Sequence, residues 1–382
     1  MKNYRFPFLD LGEINRGYYS GLCEAAERVI ASGRYIGGEE VERLECEMAE
    51  MCRTPYAVGV SNGLDALRLI MTAWVETGLL SRGDGVIVAA NTYIASILAI
   101  IHSGLRPVLV DPDEKTFNLS AEGVEKACMA DEGVKAVMPV HLYGRVAWDK
   151  DLREIVTRKE LLVIEDVAQA IGAIAHGPGL FGSRHAGALG HAGAFSFYPT
   201  KNIGALGDGG IVVTHSKRIA DTVRALANYG KTSQYRNEYA GFNCRLDPMQ
   251  AAMLRVKLGD TRNVNARRFE RAVAYNNVIS HPLVIKPEIT PQVTDQVWHQ
   301  YVVRIPEGRR DRMRLYLADN GVETALHYPV PPHCQPCLRS LPHSPLPVTE
   351  KLASEILSLP ISDCTPVADA AAIGRIINSF NQ

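Results

Sequence analysis

Between Tyr56 and Thr214, short apolar runs alternate with longer stretches in which apolar positions recur every three or four residues. The runs predict strands at about Tyr56–Val60, Gly85–Ala89, Pro107–Val110, Ala136–Val140, Leu161–Ile164, Ala192–Phe197 and Ile211–Thr214, with helices between most of them. Leu161–Ile164 is continuously apolar, as a strand covered on both faces is. Repeated strand and helix units predict the α/β class: a mostly parallel sheet flanked by helices. Ahead of them lie an irregular arm up to Gly12, a helix from about Gly17 to Ser32, a glycine-rich break at Ser32–Gly38 and a helix over Glu39–Met51.

From about Asp260 the pattern changes. Arg262–Ile279 reads as a long charged helix, with Arg262, Arg267, Arg268 and Arg271 on a solvated face. A Pro-containing segment at Pro282–Pro291, a strand at Trp298–Ile305, a helix at Arg309–Asn320 and Glu323–Tyr328 fit a smaller α+β unit. A proline-rich loop at Ser340–Pro347 and a closing helix at Lys351–Leu357 complete it. The expected division is a large domain over 1–260, N-terminal arm included, and a small domain over 261–382.

Composition narrows the field. A chain of 382 residues, 46% of them hydrophobic, has material for a large core, and a net charge of -1 carries no basic excess for nucleic acid. The most apolar region, Val86–Ile101, is interrupted by Asn91, Thr92 and Ser96 and falls short of the roughly 20 apolar residues of a membrane span. Met1–Pro7 lacks the apolar centre of a signal peptide, so a cytoplasmic protein is expected. Of eight cysteines, only Cys334 and Cys337 stand at a metal or redox spacing. With no second pair, reduced thiols and no metal are expected.

Lys201 stands out because it lies on a tight connection between two core strands. Alone it reads as a loop lysine; burial and neighbouring cations would instead lower its pKa and make it a nucleophile able to form a Schiff base. Asp166 follows the Leu161–Ile164 strand, at the carboxyl edge where ligands gather in parallel sheets. It suits either a helix N-cap or the partner of a protonated cofactor ring. Gly59-Val60-Ser61-Asn62-Gly63 opens a helix at the first such edge, where free amides suit a phosphate and Ser61 or Asn62 equally suits an N-cap. At the second edge, Tyr93 either packs in the core or lies against a flat heteroaromatic ring.

Four segments carry a resemblance: Asp166-Val167-Ala168-Gln169-Ala170, Phe195-Ser196-Phe197-Tyr198-Pro199-Thr200-Lys201-Asn202, Gly241-Phe242-Asn243-Cys244-Arg245-Leu246-Asp247 and His327-Tyr328-Pro329. In this order, within a likeness running from about Tyr35 to Leu359, the chain resembles the sugar aminotransferases of the DegT/DnrJ/EryC1/StrS family. The resemblance implies the fold type I of pyridoxal 5'-phosphate (PLP) enzymes and a homodimer with active sites at the interface. It implies Lys201 as Schiff-base lysine and proton shuttle, Asp166 as partner of the pyridine nitrogen, Gln169 beside the ring hydroxyl and Tyr93 stacked on the ring. Asn62, Gly63 and Ser196 match phosphate contacts, and Asn243 matches a residue that reaches the neighbouring subunit's cofactor phosphate.

Within the family, the segments Ala90–Ile100 and His327–His333 look most like enzymes that aminate the C3 ketone of a dTDP-3-keto-6-deoxyhexose. L-Glutamate is the implied amino donor. Tyr35, Tyr198, His327 and Tyr328 become candidate contacts to the sugar or its diphosphate. A C4 ketone, a keto-cyclitol and a regulator built on the same fold remain alternatives. Two positions depart from the family pattern: Ile171 stands where histidine is common, and Val167 where alanine is usual. Lysine at 201 argues against the dehydratase branch, which carries histidine there. A Rossmann dehydrogenase would need Gly-x-Gly-x-x-Gly, which Val58–Gly63 does not supply.

Overall fold

In the computed structural model, seven strands form one sheet: β1 (Tyr56–Val60), β2 (Gly85–Ala89), β3 (Arg106–Val110), β4 (Val134–Met138), β5 (Leu162–Asp166), β6 (Ala192–Ser196) and β7 (Gly210–Thr214). The structure describes residues 4–290 and 292–381. The first three residues of the arm, Pro291 at the end of the predicted Pro-containing segment, and Gln382 lie outside that range. Successive strand side chains point to opposite faces, and both faces are covered. In β7, Val212 joins one core while Ile211 and Val213 join another. In β2, Val86 and Val88 face one way, Ile87 and Ala89 the other.

The strand order is β1-β7-β6-β5-β4-β2-β3. β7 alone runs against the rest, pairing antiparallel with both β1 and β6. All other neighbours pair parallel. Two reversals cancel, so β1 runs with β2–β6 and six carboxyl ends meet along one edge of the sheet. Asn62, Tyr93, Asp166 and the loop after Ser196 all leave from that edge.

A hairpin of β8 (Lys231–Ser233) and β9 (Arg236–Asn237) follows, and then the helix Thr261–Val278 leads into the last third. There β10 (Tyr301–Arg304) pairs antiparallel with β11 (Ile356–Leu359) beside the helices Arg310–Asp319 and Val367–Asn378. Their separate core includes Tyr275, Trp298, Met313 and Ile373. Phe6 of the N-terminal arm also packs there, bridged to Val322. We place the boundary between the two proposed domains, 1–260 and 261–382, at the start of the long helix.

Three expectations are corrected here. The closing helix runs over Pro347–Glu355, because proline suits a first turn and Ile356–Leu359 is taken up by pairing with β10. A further helix, Val367–Asn378, follows it. The arginines of Thr261–Val278 do not share a solvated face. Arg268 is 2% exposed and donates to the carbonyls of Trp298, His299 and Ile361. Arg271 is buried on Thr365, and Arg267 pairs with Asp260 and Asp363; Arg262 alone is exposed. The guanidiniums of Arg268 and Arg271 tie the helix to neighbouring backbone carbonyls through arginine's fork of donors.

Candidate active site

A cavity of about 410 Å³ opens at the carboxyl edge of the sheet. It is lined by Asn62, Gly63, Tyr93, Asp166, Gln169, Ser196, Tyr198, Lys201, His327 and Tyr328 among others, so ten residues singled out in the sequence come together. Asn243 and Tyr35 do not line it. Asn243 is exposed on the loop before helix Pro248–Leu258, and Tyr35 is 57% exposed with its hydroxyl on the Ile30 carbonyl.

Lys201 sits on the loop 197–209 between β6 and β7, held by its amide on the Tyr198 carbonyl (2.8 Å). Three residues on, buried Lys257 donates to the Gly204 carbonyl (2.7 Å) and to Asn15 (2.6 Å). Asn202, next to Lys201, is fixed on the other side by Asn265 (3.0 Å) and the Val297 carbonyl (2.9 Å). The loop is therefore braced from both sides, while the Lys201 amine has no hydrogen-bond or ion-pair partner among the described residues. Burial lowers its pKa to about 8, and Asp166 pulls in the opposite direction. The lowering comes from desolvation alone, not from the neighbouring cations expected from the sequence.

Asp166 ends β5. Its Oδ2 accepts from the Ser96 hydroxyl (2.8 Å) and its Oδ1 from the Ala168 amide (3.1 Å). No helix begins here, so the N-cap reading fails. Its neighbour Glu165 points to the other face, buried completely, and accepts from the amides of Gly187, Leu189 and Gly190 and from His141. Gln169 accepts from the Tyr143 amide (2.6 Å) and donates to the Tyr328 hydroxyl (3.2 Å). That hydroxyl is pushed to a higher pKa by burial, so it stays protonated.

At the first carboxyl edge the structure bears out the N-cap reading and sets the start of the helix beside the cavity. Asn62 is the N-cap of helix Gly63–Glu76, accepting from the Asp65 amide (2.8 Å). The amides of Gly63 and Leu64 have no acceptor among the described residues and open on the cavity with the positive end of the helix. Gly63 presses on Ser196: a Cβ there would lie 2.6 Å from the serine Cβ. Tyr93 is 53% exposed, which excludes core packing, and its ring stands 5.1 Å from that of Tyr328. His327 holds Ser358 through Nδ1 (2.8 Å), and the Tyr143 hydroxyl donates to the His327 carbonyl. Burial, and then the charge of Lys201, lower the His327 pKa to about 4.

Several lining residues are not among the candidates read from the sequence, among them Ser96, His299 and Gln300. Ser96 interrupts an apolar helix and could have been suspected on that ground. Ile171 packs with Val167 and Ala170 in the core and does not line the cavity, which accounts for an apolar residue at that position. All eight cysteines are free; Cys334 stands beside His333 and Glu350, without Cys337 in the group. Among the described residues no helix is long and apolar enough to cross a membrane.

Comparison with known proteins places this geometry. The model of the DegT/DnrJ/EryC1/StrS aminotransferase family matches residues 21–379. The chain is 43% identical to the dTDP-3-amino-3,6-dideoxy-alpha-D-galactopyranose transaminase of Aneurinibacillus thermoaerophilus, over 98% of this chain and 99% of that one. It is 42% identical to the dTDP-3-amino-3,4,6-trideoxy-alpha-D-glucose transaminase of Streptomyces venezuelae, over 94% and 91% respectively. The crystal structure of S. venezuelae DesV in complex with a ketimine intermediate superposes with a TM-score of 0.90 at 40% identity, covering 98% of both chains.

Proposed function

The chain belongs to the DegT/DnrJ/EryC1/StrS aminotransferase family, and from that premise we propose that it transfers an amino group from L-glutamate to the C3 ketone of a dTDP-3-keto-6-deoxyhexose. The product is a dTDP-3-amino-3,6-dideoxyhexose, and PLP is the cofactor. The observation that carries this reading is the Lys201 amine, braced on both sides of its loop, without a protein partner, and in one cavity with Asp166. Both curated relatives named above are dTDP-3-amino sugar transaminases by name, which supports the choice of carbon and nucleotide.

The residues present fit PLP. The free amides of Gly63 and Leu64, with Ser196, offer neutral donors to a phosphate dianion. Tyr93 offers a ring face, Gln169 a side chain already oriented by Tyr143, and Asp166 a carboxylate to hold a proton on the ring nitrogen. When bound, PLP supplies an aldehyde that condenses with amines and a protonated ring that takes up the electron pair of a breaking C–H bond.

Lys201 moves the protons. With its pKa lowered to about 8 by burial, the amine gives up its proton far more readily than an exposed lysine does. It takes the proton from the α-carbon of glutamate and returns one to C3 of the sugar. Asp166 cannot swing away, because Ser96 and the Ala168 amide engage both of its oxygens. His327, neutral near pH 7, and the protonated Tyr328 hydroxyl offer hydrogen bonds to an uncharged sugar, as does the exposed Tyr198.

In this reading the protein is a cytoplasmic homodimer supplying an amino sugar for lipopolysaccharide, an S-layer or an antibiotic. Asn243 of each chain reaches the phosphate held by the other, and Tyr35 contacts sugar or diphosphate; their exposure outside the chain's own cavity supports both roles. The test is a ketone panel with glutamate as donor. Amine at C3 of the dTDP-keto-deoxyhexose is expected. Amine only on a C4 ketone or a keto-cyclitol would replace the substrate. Failure to convert glutamate to 2-oxoglutarate with every ketone would leave a cofactor-binding regulator.

A further inference from the structure

The two transaminases of nearly equal similarity are named for sugars that differ at C4, one keeping oxygen there and one without it. Overall identity therefore does not decide between them. The wall of the cavity formed by His299 and Gln300 does. Gln300 is 8% exposed, and its Oε1 is buried without any hydrogen-bond partner. Its side-chain nitrogen Nε2 has no partner among the described residues either and, unlike Oε1, is not sealed from the cavity, so it is the end of the amide that a ligand can reach.

His299 is fixed beside it. Asn202 gives both amide hydrogens away, to Asn265 and to the Val297 carbonyl, so its Oδ1 can only accept from His299 Nδ1 (3.2 Å). The proton of the imidazole is thus on Nδ1, and Nε2 carries a lone pair with no partner among the described residues. Burial, then the charges of Lys201 and Arg268, keep the ring neutral. Buried Arg268 grips the carbonyls of Trp298 and His299, so the segment cannot easily turn its polar groups elsewhere.

Resting on the functional reading above, we propose that Gln300, with His299 beside it, receives the C4 hydroxyl of the sugar, and that the chain selects a substrate retaining that hydroxyl over its 4-deoxy counterpart. A hydroxyl both donates and accepts, which matches a lone pair beside an amide. A methylene in its place would leave the Gln300 Nε2 hydrogens and the His299 Nε2 lone pair facing carbon, and sites built to hydrogen-bond a hydroxyl reject ligands lacking it for that reason.

The test uses the PLP-loaded chain with dTDP-3-amino-3,6-dideoxyhexose, its 3,4,6-trideoxy counterpart, and dTDP alone. Calorimetry is expected to show at least about tenfold tighter binding of the hydroxylated ligand by the wild type. Gln300→Leu should abolish that preference, leave dTDP binding unchanged and keep the melting temperature at or above the wild type. Gln300→Ala serves in its place should the leucine fail to fold. Equal binding of the two sugars by the wild type, or a preference that survives both substitutions, would overturn the proposal. If neither keto sugar accepts an amine from glutamate, the functional reading itself fails; transfer to both without preference defeats only this inference.

Discussion

Ser96 donates its hydroxyl hydrogen to Oδ2 of Asp166 at 2.8 Å, with both residues buried. The serine interrupts an otherwise apolar helix, Ile94–His102, to do so. A hydrogen bond to a charged group contributes about 1.5 kcal/mol or more, so Ser96→Ala is expected to slow conversion of glutamate about tenfold. Asp166→Asn removes the charge itself and should cost on the order of a hundredfold or more. Single-turnover kinetics with unchanged far-UV circular dichroism would check both.

The Lys201 amine makes stability depend on pH. Burial lowers its pKa from 10.5 to about 8. Between those values the unfolded chain holds a proton that the native amine has lost, so this group adds stability as pH rises from about 8 to 10.5. Below about 8 the full desolvation cost remains. The cofactor-free Lys201→Met variant should therefore melt above the cofactor-free wild type at pH 7. The difference should shrink as pH approaches 10.5, as followed by thermal unfolding across that range.

Glu165 is the structural twin of the catalytic candidate beside it. The Ala147 amide donates to His141 Nδ1 (2.9 Å), so the imidazole proton lies on Nε2 and goes to Glu165. Four donors then converge on one buried carboxylate. Glutamine would turn an amide group toward some of them, and Glu165→Gln is expected to destabilise the chain by about 3 kcal/mol. Urea denaturation would measure this.

Gly63 is where the helix end meets β6. A Cβ 2.6 Å from that of Ser196 cannot be accommodated without moving one of the two elements. Gly63→Ala should weaken PLP binding at least about tenfold and lower the melting temperature as well, because the shift that relieves the clash displaces the amides offered to the phosphate. Fluorescence titration with PLP would read the loss.

The alternation of apolar runs revealed the sheet and its carboxyl edge, and Lys201 and Asp166 were legible because ionisable groups beside apolar strands are conspicuous. The reversal of β7 was not legible, since a strand buried on both faces carries the same apolar residues in either direction. Arg268 and Arg271 looked solvated because helical spacing says nothing of whether carbonyls lie opposite. Ile356–Leu357 continued a plausible helix until β10 supplied a pairing edge. His299 and Gln300 form no motif, and only the folded arrangement of Asn202, Asn265 and Val297 shows which of their atoms are left without partners.

The most direct test of the central claim is reduction of the PLP-loaded protein with borohydride, followed by peptide mapping. The account predicts a single pyridoxyl label on Lys201, absent from Lys201→Ala even though PLP still binds it. A label on another lysine, or none at all on protein that binds PLP, would contradict it.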